Sequence, residues 1–271
     1  MYNQSSVLEL REEDMYQDII KRRIEKSVRS AFAEYQAQED VKTKFGDPAF
    51  GYISTTHPMF DTFFSRGEND HPKNIWRPGY TMIVYYIPFA EDIPRWDEEG
   101  KTTEEWMTAI RESRWLAMNV NAAIAELLTK VGRIYSRSST MMDWDHEKHR
   151  YNWSNKIAGY LAGIGTFGPA GCLQTEYRFG GRVGSMMTDG VFVPKPETVS
   201  GEALDEEFQK VLTACCFQGA RDVHCSEEMI AACPGGAIAE DGIDRAKCQT
   251  YCETIKESDP CPEMCGHCFG F

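Results

Sequence analysis

The sequence predicts an α/β (α+β) core followed by a small cysteine-rich module. Helical patterns alternate with patterns of buried strands up to about residue 198, which is typical of a mixed core. Nine of the ten cysteines lie beyond residue 214, after a linker that begins with Pro194 and Pro196 and runs to Asp205. We therefore expect an N-terminal helical segment over 1–45, a core over 46–198 and a metal-binding module over 199–271.

The core elements follow from hydrophobic spacing and from capping residues. Apolar residues recur at spacings of three and four between about residues 12 and 37, which predicts an amphipathic helix. Residues 46–78 show little periodicity. Residues 81–87 form a β-branched and aromatic run ended by Pro88, as expected of a strand buried on both faces. Thr102 and Thr103 offer caps for a long helix that ends near Gly132. Further along, we expect a strand over 134–136 and a helix over 153–162. A second strand is expected over 182–193, with interruptions at Gly184 and at 189–190.

Composition and charge exclude several classes of protein. With 42% hydrophobic and 12% aromatic residues, the chain can bury enough apolar surface to avoid intrinsic disorder. The formal net charge of -13 disfavours nucleic acid, whose binding depends mainly on Lys and Arg. No secretory signal is evident, and the longest apolar stretch, 82–90, is too short to cross a bilayer. We therefore expect a cytoplasmic protein with neither a membrane nor a nucleic acid as partner.

Cysteines in a reducing compartment are thiols, and several thiols together usually bind metal. Cys233 precedes Pro234, a tight turn and an apolar pair, which resembles the Cys-Pro that ends a bacterial ferredoxin motif. With Cys248 and the C-x2-C pair Cys265 and Cys268, it makes a predicted four-thiolate site for a [4Fe–4S] cluster. A second set of thiols at irregular spacing offers ligands for another cluster: Cys216, Cys225, Cys252 and Cys261.

Two alternatives stay open within this module. Structural zinc is also held by four thiolates, although zinc sites favour paired C-x2-C knuckles. His267 lies inside the C-x2-C pair and is either a ligand or, as we expect, a solvated residue. Cys172 stands alone in the sequence and is expected to be a small buried hydrophobe.

Two glycine-containing segments upstream resemble known enzymes. Residues 153–168 (WSNKIAGYLAGIGTFG) and 181–189 (GRVGSMMTD) are similar, in this order, to motifs of epoxyqueuosine reductases. The first segment is also similar to a region of reductive dehalogenases. Both families belong to one superfamily of cobalamin-dependent iron–sulfur oxidoreductases with a downstream segment like residues 233–238. The resemblance covers roughly residues 74–268.

The resemblance implies a nitroreductase-like core that holds a base-off corrinoid (cobalamin) beside a ferredoxin-like module. Electrons would pass from one or two [4Fe–4S] clusters to cobalt, and from there to a substrate. The cofactor-binding residues implied in this way are Gly163, Gly165, Gly168, Gly181, Gly184 and Ser185. The implied proton donors lie in the run 143–151, where the candidates are Asp145, His149 and Tyr151.

For partners, we expect an electron donor such as ferredoxin or flavodoxin and a small-molecule or protein-bound substrate. Two other functions compete with this reductase. One is an iron–sulfur electron-transfer or corrinoid-handling protein without substrate turnover of its own. The other is a zinc-stabilised binding module.

Overall fold

The structure is a computed structural model. It describes residues 4–67, 69–90, 93–136, 143–145, 147, 150–167, 173–176, 180–196, 199, 201–214, 226–240, 242–255 and 265–267. For residues 4–14, 144, 150, 174, 212–214 and 242 it describes the backbone alone.

The described residues form a mixed set of helices and short strands. The helices are α1 (Gln4–Gln36), α2 (Pro58–Ser65), α3 (Pro72–Ile75), α4 (Glu104–Lys130), α5 (Asn155–Leu161), α6 (Gly201–Ala214), α7 (Glu227–Ala232) and α8 (Arg245–Thr254). The strands are β1 (Ala49–Ser54), β2 (Thr81–Pro88), β3 (Trp144–Asp145), β4 (Arg150–Tyr151), β5 (Thr166–Phe167), β6 (Leu173–Gln174), β7 (Gly181–Thr188), β8 (Ile238–Ala239) and β9 (Gly242–Ile243).

A three-stranded antiparallel sheet lies at the centre, in the order β1-β2-β7. All eight residues of β2 are buried, because helices cover both faces of the sheet. This confirms the prediction of a doubly buried strand over 81–87 and extends the strand to Pro88. The strands β3 and β4, β5 and β6, and β8 and β9 each form a separate antiparallel hairpin.

One face of the sheet is covered by α1 and α4, which pack against each other. The hydroxyl of Tyr35 on α1 donates to the carbonyl of Glu112 on α4 at 3.1 Å. The buried carboxylate of Glu112 accepts hydrogen bonds from the backbone N–H groups of Lys42 and Thr43. The turn after α1 is therefore fixed to α4, and a polar group inside the core has its partners.

The other face is covered by α2, α5 and α6. Phe63 on α2 and Phe208 on α6 meet edge to face at 5.2 Å between ring centroids. The helix α6 begins at Gly201, inside the stretch predicted as a linker, so the linker prediction is wrong beyond residue 200. Because α6 is amphipathic and buries Phe208 and Val211 against α2, tertiary packing overrides the polar composition of this stretch.

The mixed α/β class and the principal helices are confirmed, with differences at their ends. The predicted helix over 12–37 begins earlier, at Gln4, and the helix predicted over 153–162 spans Asn155–Leu161. Residues 134–136 contribute one bridge, Tyr135 to Thr188, in place of a strand. The strand β1 lies in the stretch predicted to lack periodicity. In the part of the chain that the structure describes, no helix is long and apolar enough to cross a membrane.

Candidate functional site

Three thiols meet in the C-terminal part of the chain. Cys248 and Cys252 lie one turn apart on α8, so both project from the same face of that helix. The thiol of Cys252 makes hydrogen bonds with the thiols of both Cys248 and Cys265. Cys252 and Cys265 are buried, and the described cysteines are free of disulfides.

A fourth thiol, that of Cys233, lies beside this group. The charges of Cys265, Cys252 and Cys233 all act on the hydroxyl of Tyr251, so these three cysteines lie near one tyrosine. Cys233 begins a tight turn in which Gly236 adopts a φ of +57°. The backbone N–H of Ala237 donates to Sγ of Cys233 at 3.3 Å. Hydrogen bonds from backbone N–H groups to sulfur are typical of cysteines that ligate iron–sulfur clusters.

The ionisation of these thiols is set by their contacts with one another. The hydrogen bond from Cys252 lowers the pKa of Cys265 to about 5, with further help from His267. The same donor lowers the pKa of Cys248, as do the nearby charges of Lys156 and Arg245. The pKa of Cys252 is raised because its proton is shared with both neighbours. These contacts therefore favour the thiolate form at Cys248 and Cys265, the form in which cysteine binds soft metals.

The thiols do not form a closed coordination sphere. Among the residues that the structure describes, no three Cys, His, Asp or Glu side chains are already placed around one metal position. Since the thiols bond to each other in a row, a metal would replace those hydrogen bonds and displace the shared proton.

The segment 265–267 is fixed to the core by a set of contacts that we call the clasp, formed by Trp96, Gly100, Thr102, Cys265 and His267. The rings of Trp96 and His267 stack at 5.0 Å with an interplanar angle of 20°. Nε2 of His267 lies 2.9 Å from the carbonyl oxygen of Gly100, and the hydroxyl of Thr102 donates to the carbonyl of Cys265 at 3.3 Å. The thiols are thereby held against the loop that precedes α4.

The predicted metal ligands fall into three groups. Cys233, Cys248 and Cys265 of the first predicted set lie near one another in the structure. Cys252, predicted for the second set, lies in the same group. The remaining predicted ligands, together with the isolated Cys172, lie outside the described residues: Cys216, Cys225, Cys261 and Cys268. The i, i+4 spacing of Cys248 and Cys252 was the sequence signal for this grouping, since that spacing places two residues on one face of a helix.

His267 is not the solvated residue that the sequence led us to expect. Only 4% of its surface is exposed, and its Nδ1 is buried without a hydrogen-bond partner of normal geometry among the described residues. Burial acts to lower its pKa, but the adjoining Cys265 thiol and the Gly100 carbonyl outweigh burial and raise it. No sequence pattern signalled this burial, because it depends on the contact with the distant Trp96.

The predicted proton donors lie on the hairpin of β3 and β4. Asp145 pairs with residue 150, and Tyr151 pairs with residue 144, so the two candidates lie on opposite faces of the hairpin. The carboxylate of Asp145 accepts from the backbone N–H of Glu147 at 3.0 Å. Tyr151 is 38% exposed, and His149 lies outside the described residues. The structure therefore does not bring Asp145 and Tyr151 together.

A polar network anchors the base of this hairpin. The side chain of Asn152 accepts from the backbone N–H of Asp143 at 2.8 Å and donates to the carboxylate of Asp70 at 3.0 Å. Asn69, which is buried, accepts from the backbone N–H of Ser154 at 2.7 Å. The hairpin leads directly into α5, whose Lys156 is close enough for its charge to act on Cys248.

The glycines predicted to approach a flat cofactor have neighbours within the protein. A Cβ on Gly184 would lie 2.2 Å from the ring of Tyr85, and one on Gly181 would lie 2.4 Å from the ring of Tyr86. Ser185 is fully buried, and its hydroxyl lies 2.6 Å from the side-chain oxygen of Asn155. These three residues therefore serve packing inside the sheet, and they do not fit a corrinoid.

The other predicted cofactor residues lie after α5. Gly163 has a φ of +74° and ends that helix, with open space where a Cβ would be. Gly165 is half-buried in the next turn, and Gly168 lies outside the described residues.

Fold and site together define a mixed α/β protein with a cluster of thiols fastened to its core. No known protein family matches the chain, and no curated protein is significantly similar to it. Solved structures of epoxyqueuosine reductase are similar. That from Streptococcus thermophilus has 14% identity and a TM-score of 0.42, over 84% of this chain and 58% of its own. The structure from Bacillus subtilis has 13% identity and a TM-score of 0.41. The match covers 86% of this chain and 57% of the Bacillus subtilis chain. The chain thus spans less than two thirds of the length of these proteins.

One comparison corrects an expectation. A third similar structure is epoxyqueuosine reductase with an epoxyqueuosine-modified tRNA stem loop. It has 13% identity and a TM-score of 0.37, and the match covers 84% of this chain and 57% of that chain. The exclusion of nucleic acid as a partner is therefore wrong. It rested on the net charge of the whole chain, whereas phosphates respond to the charge of the surface that they contact.

Such a local basic surface exists on α1. Arg22, Lys26 and Arg29 recur at helical spacing and border an open cleft of about 450 Å³. All three are exposed, although Arg29 also pairs with Asp47 at 3.3 Å and Glu25 lies in the same cleft. Arg22, Lys26 and Arg29 therefore place positive charge along one exposed face of α1, which we call the basic cleft.

Proposed function

We propose that this protein is an iron–sulfur oxidoreductase whose cluster is held by the C-terminal thiols. The observation that carries the proposal is the meeting of Cys248, Cys252 and Cys265 beside Cys233. Four thiols gathered from a turn, a helix and a separate segment, each of them free of a disulfide, are typical of a metal site.

Three features of the surroundings suit iron–sulfur chemistry. Cys233 follows α7 and leads into a turn whose backbone N–H bonds to sulfur, as in ferredoxins. Cys252 and Cys265 are buried, which excludes water from the sulfur atoms and influences the reduction potential. Lys156 and Arg245 place positive charge near Cys248, where it offsets the negative charge of thiolates.

The corrinoid remains a proposal that rests on the sequence resemblance alone. Gly181, Gly184 and Ser185 do not fit it, so any corrinoid pocket would be lined by other residues. When bound, a corrinoid would supply a reducible cobalt. Without it, the protein is an electron carrier that reduces a partner.

For the substrate we propose a group carried on RNA. Support comes from the basic cleft on α1, where Arg22 and Lys26 are exposed on a chain that is otherwise acidic. This replaces the expectation of a small-molecule or protein-bound substrate, because neither accounts for clustered positive charge on one helix face.

Anaerobic purification with analysis of iron, cobalt and zinc tests the cluster and the corrinoid together. Roughly four or eight iron atoms per chain would support the proposal. A shift of added cobalamin to its base-off spectrum would support the corrinoid. Iron with an unchanged cobalamin spectrum would contradict the corrinoid and leave electron transfer as the function. Zinc alone would contradict both.

Binding of a fluorescent RNA stem loop tests the basic cleft. We expect the double variant Arg22→Glu and Lys26→Glu to lower the affinity at least tenfold and to flatten its salt dependence. The matched control is the double variant Lys130→Glu and Lys210→Glu on α4 and α6, which makes the same change of net charge away from the cleft. Equal loss of affinity in the control would show that only the overall charge matters.

A further inference from the structure

The outer strand β1 directs part of its backbone away from the sheet. In an antiparallel pair, only every second residue of a strand bonds to the partner strand. The backbone N–H of Thr55 donates to the carbonyl of Tyr80 at 3.0 Å, directly beyond the last paired residues of β1 and β2. Counting back in steps of two, Gly51 bonds to β2, whereas Phe50 and Tyr52 direct their backbone groups to the outer side of β1.

The pairing on the far side of β2 gives the same alternation. The backbone N–H of Phe89 donates to the carbonyl of Gly180 at 3.0 Å, in the register of β2 with β7. Tyr85, four residues back, therefore bonds to β7. Because Tyr85 is the residue of β2 opposite Phe50, the backbone groups of Phe50 receive no bond from β2.

The free edge of β1 is open and short. Among the residues that the structure describes, none bonds to the backbone N–H or carbonyl groups of Phe50 and Tyr52 on the outer side. Both residues are half-buried. Pro48 has no N–H at one end of the edge, and the carbonyl of Ser54 accepts from the backbone N–H of His57 at the other. Two donors and two acceptors are therefore left for an incoming strand.

The basic cleft adjoins this edge. The ammonium group of Lys21 lies 5.7 Å from the ring centroid of Tyr52, and the guanidinium of Arg29 lies 5.8 Å from that of Phe50. The helix α1 meets α4 on another side, where the hydroxyl of Ser27 donates to a backbone carbonyl of α4 at 3.4 Å. The basic cleft therefore lies on the side of α1 that faces away from α4, next to the free edge of β1.

Two cations of the basic cleft are available to a ligand. Arg29 pairs with Asp47 at 3.3 Å, and the carboxylate of Glu25 accepts from a tyrosine hydroxyl of β1 at 3.4 Å. Arg22 and Lys26 form no ion pair with any residue that the structure describes. In a dimer joined at this edge, the two cations would face the same cations of the second copy. Their repulsion disfavours self-pairing, and their charge favours an acidic strand.

The opposite face of β1 is apolar beside the edge. A Cβ on Gly51 would lie 2.7 Å from the Cβ of Ala162 and 3.0 Å from the side chain of Ile164. Both of these side chains are half-buried, so part of each is exposed. Side chains of a strand alternate between its two faces. An added strand would therefore meet cations on one face and apolar side chains on the other.

We propose that the free edge of β1 binds an extended peptide segment of a partner protein, in which acidic and apolar residues alternate. The backbone of Phe50 and Tyr52 supplies the ladder hydrogen bonds. Arg22 and Lys26 pair with the acidic side chains, and the apolar ones lie beside residues 162–164. A peptide backbone matches the alternating donors and acceptors of the edge, and RNA does not. Such binding goes beyond the proposed function. Because the two cations also belong to the proposed RNA site, peptide and RNA should exclude one another.

Residue-resolved hydrogen exchange of the full-length protein tests the edge directly. The probe is a blocked, fluorescent hexapeptide of alternating glutamate and valine. We expect the amides of Phe50 and Tyr52 to exchange rapidly in the protein alone and to slow by about tenfold or more with the peptide. The amides of Gly51 and Ile53, which bond to β2, should be protected in both samples and serve as the internal control. No substitution is needed, so misfolding cannot mislead.

A second peptide and two variants sharpen the test. A hexapeptide with three glutamates followed by three valines has the same charge but no single acidic face, so it should bind about tenfold more weakly or worse. The double variant Arg22→Glu and Lys26→Glu should weaken binding of the alternating peptide by about tenfold or more. The matched control, Lys130→Glu with Lys210→Glu, should bind it nearly as well as the wild type does.

Binding of the alternating peptide with protection of the Phe50 and Tyr52 amides supports the proposal. No binding, binding without that protection, or equal binding of the second peptide overturns it. Protection that appears without peptide and rises with protein concentration would assign the edge to a second copy, and protection by an RNA stem loop would assign it to RNA. Either result overturns a peptide partner. Iron content and RNA affinity of the same protein report separately on the proposed function.

Discussion

At the scale of single residues, close packing explains features that the sequence alone assigned to a cofactor. Gly184 on β7 makes room for the ring of Tyr85 on β2. That ring cannot move aside easily, because Tyr85 is 1% exposed and its hydroxyl lies 2.9 Å from the side-chain oxygen of Asn121. A glycine that fits a cofactor motif can therefore be required because a neighbouring side chain leaves no room for a Cβ.

A substitution at Gly184 tests this explanation. We expect Gly184→Ala to lower the free energy of unfolding by about 1–3 kcal/mol or more, since its Cβ would overlap Tyr85. Urea denaturation measures the change. The control is Gly201→Ala at the start of α6, where a Cβ meets nothing within 4 Å, and where we expect no loss of stability. Equal stability of the Gly184→Ala protein and the wild type would contradict the packing role.

Local sequence predicted some of the thiol site, and tertiary contacts decided the rest. Cys233 was recognised from its following proline and turn, which are local features. The contact of Cys252 with Cys265 was not predicted, because a segment thirteen residues further along the chain supplies the second thiol. The burial of His267 depends on Trp96, which lies far away in the chain, and no pattern in the sequence records that contact.

At the scale of elements, two short helices begin with histidine caps. Nδ1 of His57 accepts from the backbone N–H of Met59 at the start of α2. Nδ1 of His71 accepts from the backbone N–H of Lys73 at 3.1 Å, at the start of α3. A histidine can accept in this way only while that nitrogen is unprotonated. Burial lowers the pKa of both residues below the ordinary 6.5.

These caps predict a loss of stability in mild acid. The folded state binds fewer protons at His57 and His71 than the unfolded state does, so the free energy of unfolding falls as the pH drops below about 6.5. In the double variant His57→Asn and His71→Asn, the caps remain but do not titrate. Urea denaturation at pH 7.5 and pH 5.5 should show a smaller acid loss in this variant. Other groups, including His267, contribute equally to both proteins, so parallel pH profiles would contradict the prediction.

Elements with strong patterns were predicted, and weakly patterned ones were not. The helix α4 has a threonine cap, acidic residues in its first turn and a regular apolar stripe, so its ends were predictable. The strand β1 lacks such signals, because its pairing with β2 and the burial of its residues come from the assembled sheet.

At the scale of the whole molecule, the clasp joins the thiol group to the core. Trp96 and Thr102 belong to the loop before α4, whose Trp106 is buried against Phe89 in the main core. Gly266 fits against Trp106, where a Cβ would lie 2.8 Å from the indole ring. The thiol site therefore depends on the core for its position, although its cysteines are clustered near the C-terminal end of the sequence.

Loosening the clasp should weaken the retention of metal. We expect Trp96→Ala to speed the loss of metal to a chelator several-fold, because His267 loses its stacking partner. Trp115→Ala on α4 is the control, since that indole is 54% exposed and lies outside the clasp. The rate of metal release is followed by absorption. Identical rates for the two variants would show that the clasp does not hold the site.

The iron content of anaerobically purified protein tests the central claim most directly. We predict roughly four or eight iron atoms per chain in the wild type. The Cys252→Ala variant should lose a large part of this iron. The Cys172→Ala variant should keep it, because Cys172 stands alone in the sequence. Wild-type protein without iron, or a Cys252→Ala variant that retains all of its iron, would contradict the assignment of these thiols to an iron–sulfur centre.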